Sequence, residues 1–112
     1  MRFEIRQIEP GSTAIAIVGN LVWGGREPEL LESAVKNLLD HGQKKFVFDL
    51  AELNYADSSG MGVLISCFTQ IKNSGGDLDL VGAKPRIQKL FRLARVDDIL
   101  SAYPMRAKAG GG

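Results

Sequence analysis

Two stretches decide the fold: Lys45-Phe46-Val47-Phe48-Asp49-Leu50, and, after a short loop, Asp57-Ser58-Ser59-Gly60-Met61-Gly62-Val63. The first is a short, nearly continuous apolar run, as expected of a central strand covered on both faces. The second begins with residues that cap helices. Asp57 or Ser58 at the N-cap can accept hydrogen bonds from backbone N–H groups that have no partner within the helix. Met61, Leu64, Ile65, Phe68 and Ile71 then recur at helical spacing until Asn73-Ser74-Gly75-Gly76, where residues tolerant of left-handed geometry end the helix.

Outward from this strand-loop-helix unit the chain alternates between the two periods. Arg2 to Glu9 carries Phe3, Ile5 and Gln7 on one side and Arg2, Glu4 and Arg6 on the other, the pattern of a half-exposed edge strand. Glu9-Pro10-Gly11-Ser12 supplies a turn, and Thr13 to Val18 reads as a more buried strand, so the chain opens with a hairpin. Beyond Gly24-Gly25, Pro28 suits the first turn of a helix. Leu30, Leu31, Ala34, Val35, Leu38 and Leu39 form its apolar face, Glu32, Lys36, Asn37 and Asp40 face away, and His41-Gly42 ends it. Asp77 to Val81 alternates as a strand, Pro85 opens a third helix with Ile87, Leu90, Phe91 and Ala94 inward, and Leu100 to Met105 suggests a last short strand. The order predicts a single α/β domain over residues 1–106, with a mixed, mostly parallel central sheet of four to five strands and helices packed against it. Residues 107–112 read as a flexible tail.

Composition agrees with one core. The chain has 112 residues, of which 45% are hydrophobic and 24% charged, with a formal charge of +1 and one cysteine. That balance fits neither a disordered chain nor a disulfide scaffold. The longest uncharged apolar stretch, Thr13 to Trp23, falls short of the roughly 20 residues of a membrane-crossing helix. No charged segment followed by an apolar one opens the chain, which makes a cytoplasmic protein without a membrane partner the expectation. Intermingled charges leave no electrostatic footprint for nucleic acid.

The residues that could carry chemistry cluster in the turn Asp57–Gly62. A hydroxyl there sits where backbone amides fan outward, and Gly60 and Gly62 leave the turn bare, open to close approach by a protein. The partial positive charge of a helix N-terminus would tolerate a phosphate on a serine at this point. A hydrolytic serine is a poor fit, because Gly-x-Ser-x-Gly is absent and the single histidine, His41, belongs to the far end of the first helix. No Gly-x-x-x-x-Gly-Lys-Ser/Thr run is present, so no nucleotide or other cofactor is expected. One thiol, Cys67, and one imidazole cannot close a structural zinc site. Cys67 reads as a reduced, packed small residue, and the basic residues Lys84, Arg86, Lys89, Arg92 and Arg95 as a solvated face.

At these residues the sequence resembles the STAS domains of bacterial anti-sigma factor antagonists. Their mark is an apolar strand, a short loop and Asp-Ser-Ser/Thr-Gly-Leu/Met-Gly-Val, here Asp57 to Val63. Ile17-Val18-Gly19, Phe48-Asp49-Leu50, Gly75-Gly76 and Lys89-Leu90-Phe91 also sit at the family's spacing, so the likeness covers nearly the whole chain. The resemblance implies a STAS-type fold and a non-enzymatic regulator. It implies that Ser58 is the phosphorylation target, and that the turn of Asp57, Ser58, Ser59, Gly60, Met61 and Gly62 binds an anti-sigma factor that is also a serine kinase. Binding of the unphosphorylated form would free a sigma factor, and a phosphoserine phosphatase would restore that form. The chain departs from the family pattern in lacking an acidic residue in Gly19-Asn20-Leu21-Val22-Trp23 and in carrying Arg95 where relatives end the third helix with glycine. The alternative on the same fold is a constitutive scaffold subunit of a transporter or stress-signalling complex.

Overall fold

The computed structural model describes residues 1–22, 24–94 and 105–106. The elements run β1 (Arg2–Glu9), β2 (Ser12–Leu21), α1 (Glu27–Asp40), β3 (Lys45–Asp49), β4 (Leu53–Ala56), α2 (Ser58–Asn73), β5 (Asp77–Val81), α3 (Pro85–Leu93) and β6 (Met105–Arg106). Of the last strand anticipated at Leu100–Met105, only its end falls among the described residues. The proposed tail, Arg95 and Trp23 lie outside them.

The sheet order is β1-β2-β3-β5-β6. β1 and β2 form the antiparallel hairpin, turning at Gly11 with φ +82°; the other pairings are parallel. β4 is the element that periodicity alone leaves as a loop. It pairs in parallel with the end of β2, Gly19 to Leu21, just where β3 has stopped pairing with Ser12 to Ala16. β3 and β4 thus occupy one strand position in turn. Between them the Asp49 carboxylate accepts the Ala51 N–H at 3.1 Å, and the Glu52 carbonyl accepts the Gly19 N–H at 2.9 Å. Gly19, at φ +98°, sits where the β2 register shifts, a bulge position that glycine fills without a Cβ clash. The sheet therefore has five strand positions, in keeping with the expected mixed and mostly parallel arrangement.

The rows Thr13-Phe46-Leu78 and Ile15-Phe48-Leu80 run across β2, β3 and β5 and are buried. They meet Leu31 and Val35 of α1, Leu64, Phe68 and Ile71 of α2, and Ile87 and Phe91 of α3 in one cluster. The opposite rows, Ala14-Val47-Asp79 and Ala16-Asp49-Val81, are half-buried except at Val81. β3 is central but covered on one face, not two. Val47 is half-buried there while Phe46 and Phe48 carry the burial.

In α1 the apolar face is also rotated from the expected one. Leu31 and Val35 are fully buried, but Leu30 is 50% exposed. Glu32, expected to face solvent, is part-buried against α2, where its carboxylate accepts the Ser66 hydroxyl at 3.0 Å. Helix–helix packing decides this. α1 must lie beside α2 as well as on the sheet, and its contact stripe turns toward both.

Candidate functional site

The end of β2, the end of β4 and the start of α2 meet at one corner. The Asp57 N–H donates to the Leu21 carbonyl at 3.2 Å, continuing the β2–β4 pairing by one more bond. Asp57 is then the N-cap of α2. Its extended backbone leaves the strand, its Oδ1 accepts the Gly60 N–H at 2.7 Å, and its carbonyl accepts the Met61 N–H at 2.8 Å. An acceptor on the third amide of the helix is the usual way a short acidic side chain starts one. Of the two capping candidates, Asp57 takes the role, and Ser58 becomes the first helical residue with an exposed side chain.

The six residues of the turn divide by burial. Ser58, Ser59 and Gly62 are exposed and Asp57 is part-buried, whereas Gly60 and Met61 are buried. The two buried ones present little surface and mainly shape the turn. A Cβ on Gly60 would stand 1.9 Å from the Leu21 carbonyl oxygen, so only glycine lets the first turn of α2 lie on the end of β2. A Cβ on Gly62 would meet nothing within 4 Å.

Recesses flank the serines. On one side a cavity of about 370 Å³ is lined by Tyr55, Ser58, Met61, Ile65, Leu90 and Leu93. Tyr55 is 48% and Leu93 72% exposed, so large apolar surface reaches solvent beside the Ser58 hydroxyl. On the other side a cavity of about 450 Å³ brings Gly24 and Gly25 of the β2–α1 connection and Pro28 at the start of α1 beside Ser59 and Val63. Periodicity did not single out Tyr55 or Leu93, because nothing local distinguishes an exposed apolar residue beside a site from one elsewhere on a surface. Lys84, expected on a solvated face, also donates to the Asn54 side chain in an exposed contact, tying the start of α3 to β4.

The remaining candidates stand apart from the corner. His41 is exposed at the end of α1, its Nδ1 2.7 Å from the Asn37 carbonyl oxygen. Cys67 is fully buried in α2, and burial, with the nearby charge of Glu32 adding to it, pushes its thiol up to about 12. A thiol held protonated to that degree is neither nucleophile nor metal ligand at neutral pH. Among the described residues no group of three His, Cys, Asp or Glu side chains is placed to hold a metal ion, and no helix is long and apolar enough to cross a membrane.

A strand-to-helix corner with an aspartate cap, an outward serine and a glycine pressed on the preceding strand defines the class. Residues 8–109 match the STAS domain family, and the chain belongs to it. Curated relatives to which it is similar are named as anti-sigma factor antagonists. The chain is 35% identical over 63 residues to the anti-sigma-B factor antagonist of Bacillus subtilis, a match covering 56% of this chain and 55% of that one. It is 30% identical over 77 residues to BtrV of Bordetella bronchiseptica, assigned as an anti-sigma factor antagonist, covering 69% of this chain and 64% of the other. These matches thus span between about half and two thirds of the relatives' lengths. In three dimensions the fold is similar to that of the Bacillus cell fate determinant SpoIIAA in its phosphorylated form, with a TM-score of 0.76 at 16% identity over 97% of this chain and 93% of that one.

Proposed function

We propose that this chain is a non-enzymatic, cytoplasmic anti-sigma factor antagonist. In its unphosphorylated form it docks on an anti-sigma factor serine kinase through the Asp57–Gly62 turn, which frees a sigma factor; phosphorylation of Ser58 turns docking off, and a phosphoserine phosphatase reverses it. The observation that carries this reading is the position of Ser58: an exposed hydroxyl on the first turn of α2, directly after the Asp57 cap. The functions of the named relatives support it.

The physical chemistry of the corner favours such a switch. A phosphoryl group adds about −1.5 to −2 charge at neutral pH. At a helix N-terminus that charge meets the positive end of the helix dipole, so the domain keeps its fold. Docked against a protein, the same group would have to shed water beside the Asp57 carboxylate, inside an interface that had accommodated a neutral hydroxyl. The apolar surface of Tyr55 and Leu93 supplies area for docking at the point the phosphate would disturb.

The test is to recover the partner from the native cell with the purified chain, incubate the two with magnesium-ATP, and map any added phosphate. Phosphate is expected on Ser58 alone. Ser58→Ala should abolish labelling and retain the complex, and Ser58→Asp should weaken it, a single carboxylate copying part of a phosphate's charge. Phosphate at another residue, or a complex indifferent to phosphorylation, would overturn the reading.

A further inference from the structure

We propose that the outer edge of β1 is a self-association surface, on which two copies of this chain pair their β1 strands antiparallel about a two-fold axis at Ile5. This inference is independent of the Ser58 switch. Among the described residues β1 is paired only with β2, so its other edge presents unpaired backbone N–H and C=O groups over eight residues. Edge strands of that length are templates for another strand unless they are blunted. Here the blunting is partial, since Ile5 is 43% and Ile8 53% exposed.

The charges on this edge select one register. Arg2, Glu4 and Arg6 lie on one face of β1, and Phe3, Ile5 and Gln7 on the other, the face that continues the buried row of Ile15 and Ile17. With the dyad at Ile5, Glu4 of each copy stands opposite Arg6 of its partner, Ile5 faces Ile5, and Phe3 faces Gln7. Moving the dyad to Glu4 sets Glu4 against Glu4 and Arg2 against Arg6. Moving it to Arg6 sets Arg6 against Arg6. Opposite charges directly across a strand pair stabilise and like charges destabilise, so the alternation rejects neighbouring registers and admits the one centred on Ile5. The β1–β2 register is regular from Arg2 to Gln7 and shifts only between Gln7 and Glu9, so the residues that face one another about a dyad at Ile5, Phe3 to Gln7, all lie within the regular segment.

The surroundings suit a second copy. A dyad perpendicular to the sheet keeps helix-covered faces together and is the usual geometry of a closed dimer, in which one patch meets itself. On that face, beside β1, lies an open recess of about 620 Å³ in which Phe3, Leu30 and Ala34 are bordered by Ser33, Lys36, Asn37 and Asp40. The exposed Leu30 stands in it, so the dyad brings two such mixed recesses toward the seam.

Sedimentation equilibrium on the intact chain, up to millimolar concentration, tests this directly. The wild type should show a monomer–dimer equilibrium. Glu4→Arg and Arg6→Glu should each weaken it by about tenfold or more, because each turns two favourable cross-strand pairs into two repulsive ones. An equimolar mixture of the two variants should form a heterodimer, and the double variant Glu4→Arg/Arg6→Glu should recover self-association. These side chains are exposed, so the fold is retained in every variant. In a second measurement Ile5→Cys should cross-link to itself on mild oxidation, the Cα atoms of facing residues lying about 4.5–5.5 Å apart, within disulfide range. Leu93→Cys, which is also exposed, should not. A wild type that remains monomeric throughout, or a dimer insensitive to both charge reversals, would overturn the proposal.

Discussion

Two glycines two residues apart in one helix turn have opposite requirements. Gly60 is pressed on the Leu21 carbonyl, and Gly62 looks into open space. Gly60→Ala should cost at least about 1–3 kcal/mol, the range for forcing atoms into a filled site, because the obstacle is backbone and cannot rotate aside. Gly62→Ala should be neutral or stabilise by up to about 1 kcal/mol, since alanine loses less entropy in a helix. Urea denaturation of both variants checks the pair. Equal effects would show that the turn does not sit on the end of β2. The distinction matters for the site, because a shifted first turn carries Ser58 with it.

At the scale of elements, the contact between α1 and α2 controls the chemistry of Cys67. The thiol is pushed to about 12 by burial and by the neighbouring Glu32 of α1, while Glu32 itself is held by the Ser66 hydroxyl. In the unfolded chain the thiol ionises near 9. Between that pH and about 12 the unfolded state binds fewer protons than the folded one, so stability falls as pH rises, by up to about 1.4 kcal/mol per pH unit from this group. Comparing urea midpoints at neutral and alkaline pH should show a steeper loss for the wild type than for Cys67→Ala. The native thiol should also resist thiol reagents until the protein unfolds. Rapid native labelling would contradict the packing of these helices.

At the scale of the whole molecule, the aromatic ladder Phe48–Phe68–Phe91 joins β3, α2 and α3. Its rings meet edge to face, with centroids 5.3 and 6.2 Å apart. Phe68 is the shared member. Phe68→Ala should cost about 3–5 kcal/mol through lost burial and the cavity left behind, with the two edge-to-face pairs a part of it. Against a total of about 5–15 kcal/mol for a typical domain, that leaves a marginal fold, visible as a large drop in the urea midpoint. Ser58→Ala, at the surface, should leave the same midpoint nearly unchanged. Labelling lost by that variant would then be a property of the site and not of the fold.

The sequence by itself determined the hairpin, the helices α1, α2 and α3, the central place of β3 and a helix start at Asp57-Ser58, leaving open which of the two caps it. Each of these follows from local periodicity, turn residues and capping chemistry. It did not disclose β4, because four residues from Leu53 to Ala56 carry too short an alternation and become a strand only through β2 lying alongside. Nor did it show that Glu32 turns inward and Leu30 outward, which the packing of α1 on α2 imposes. The exposed face of the sheet, the closeness of Tyr55 and Leu93 to Ser58, and the backbone contact that makes Gly60 obligatory were decided by tertiary structure alone. Each is a meeting of segments distant along the chain, and spacing within one segment carries no information about what another will press against it.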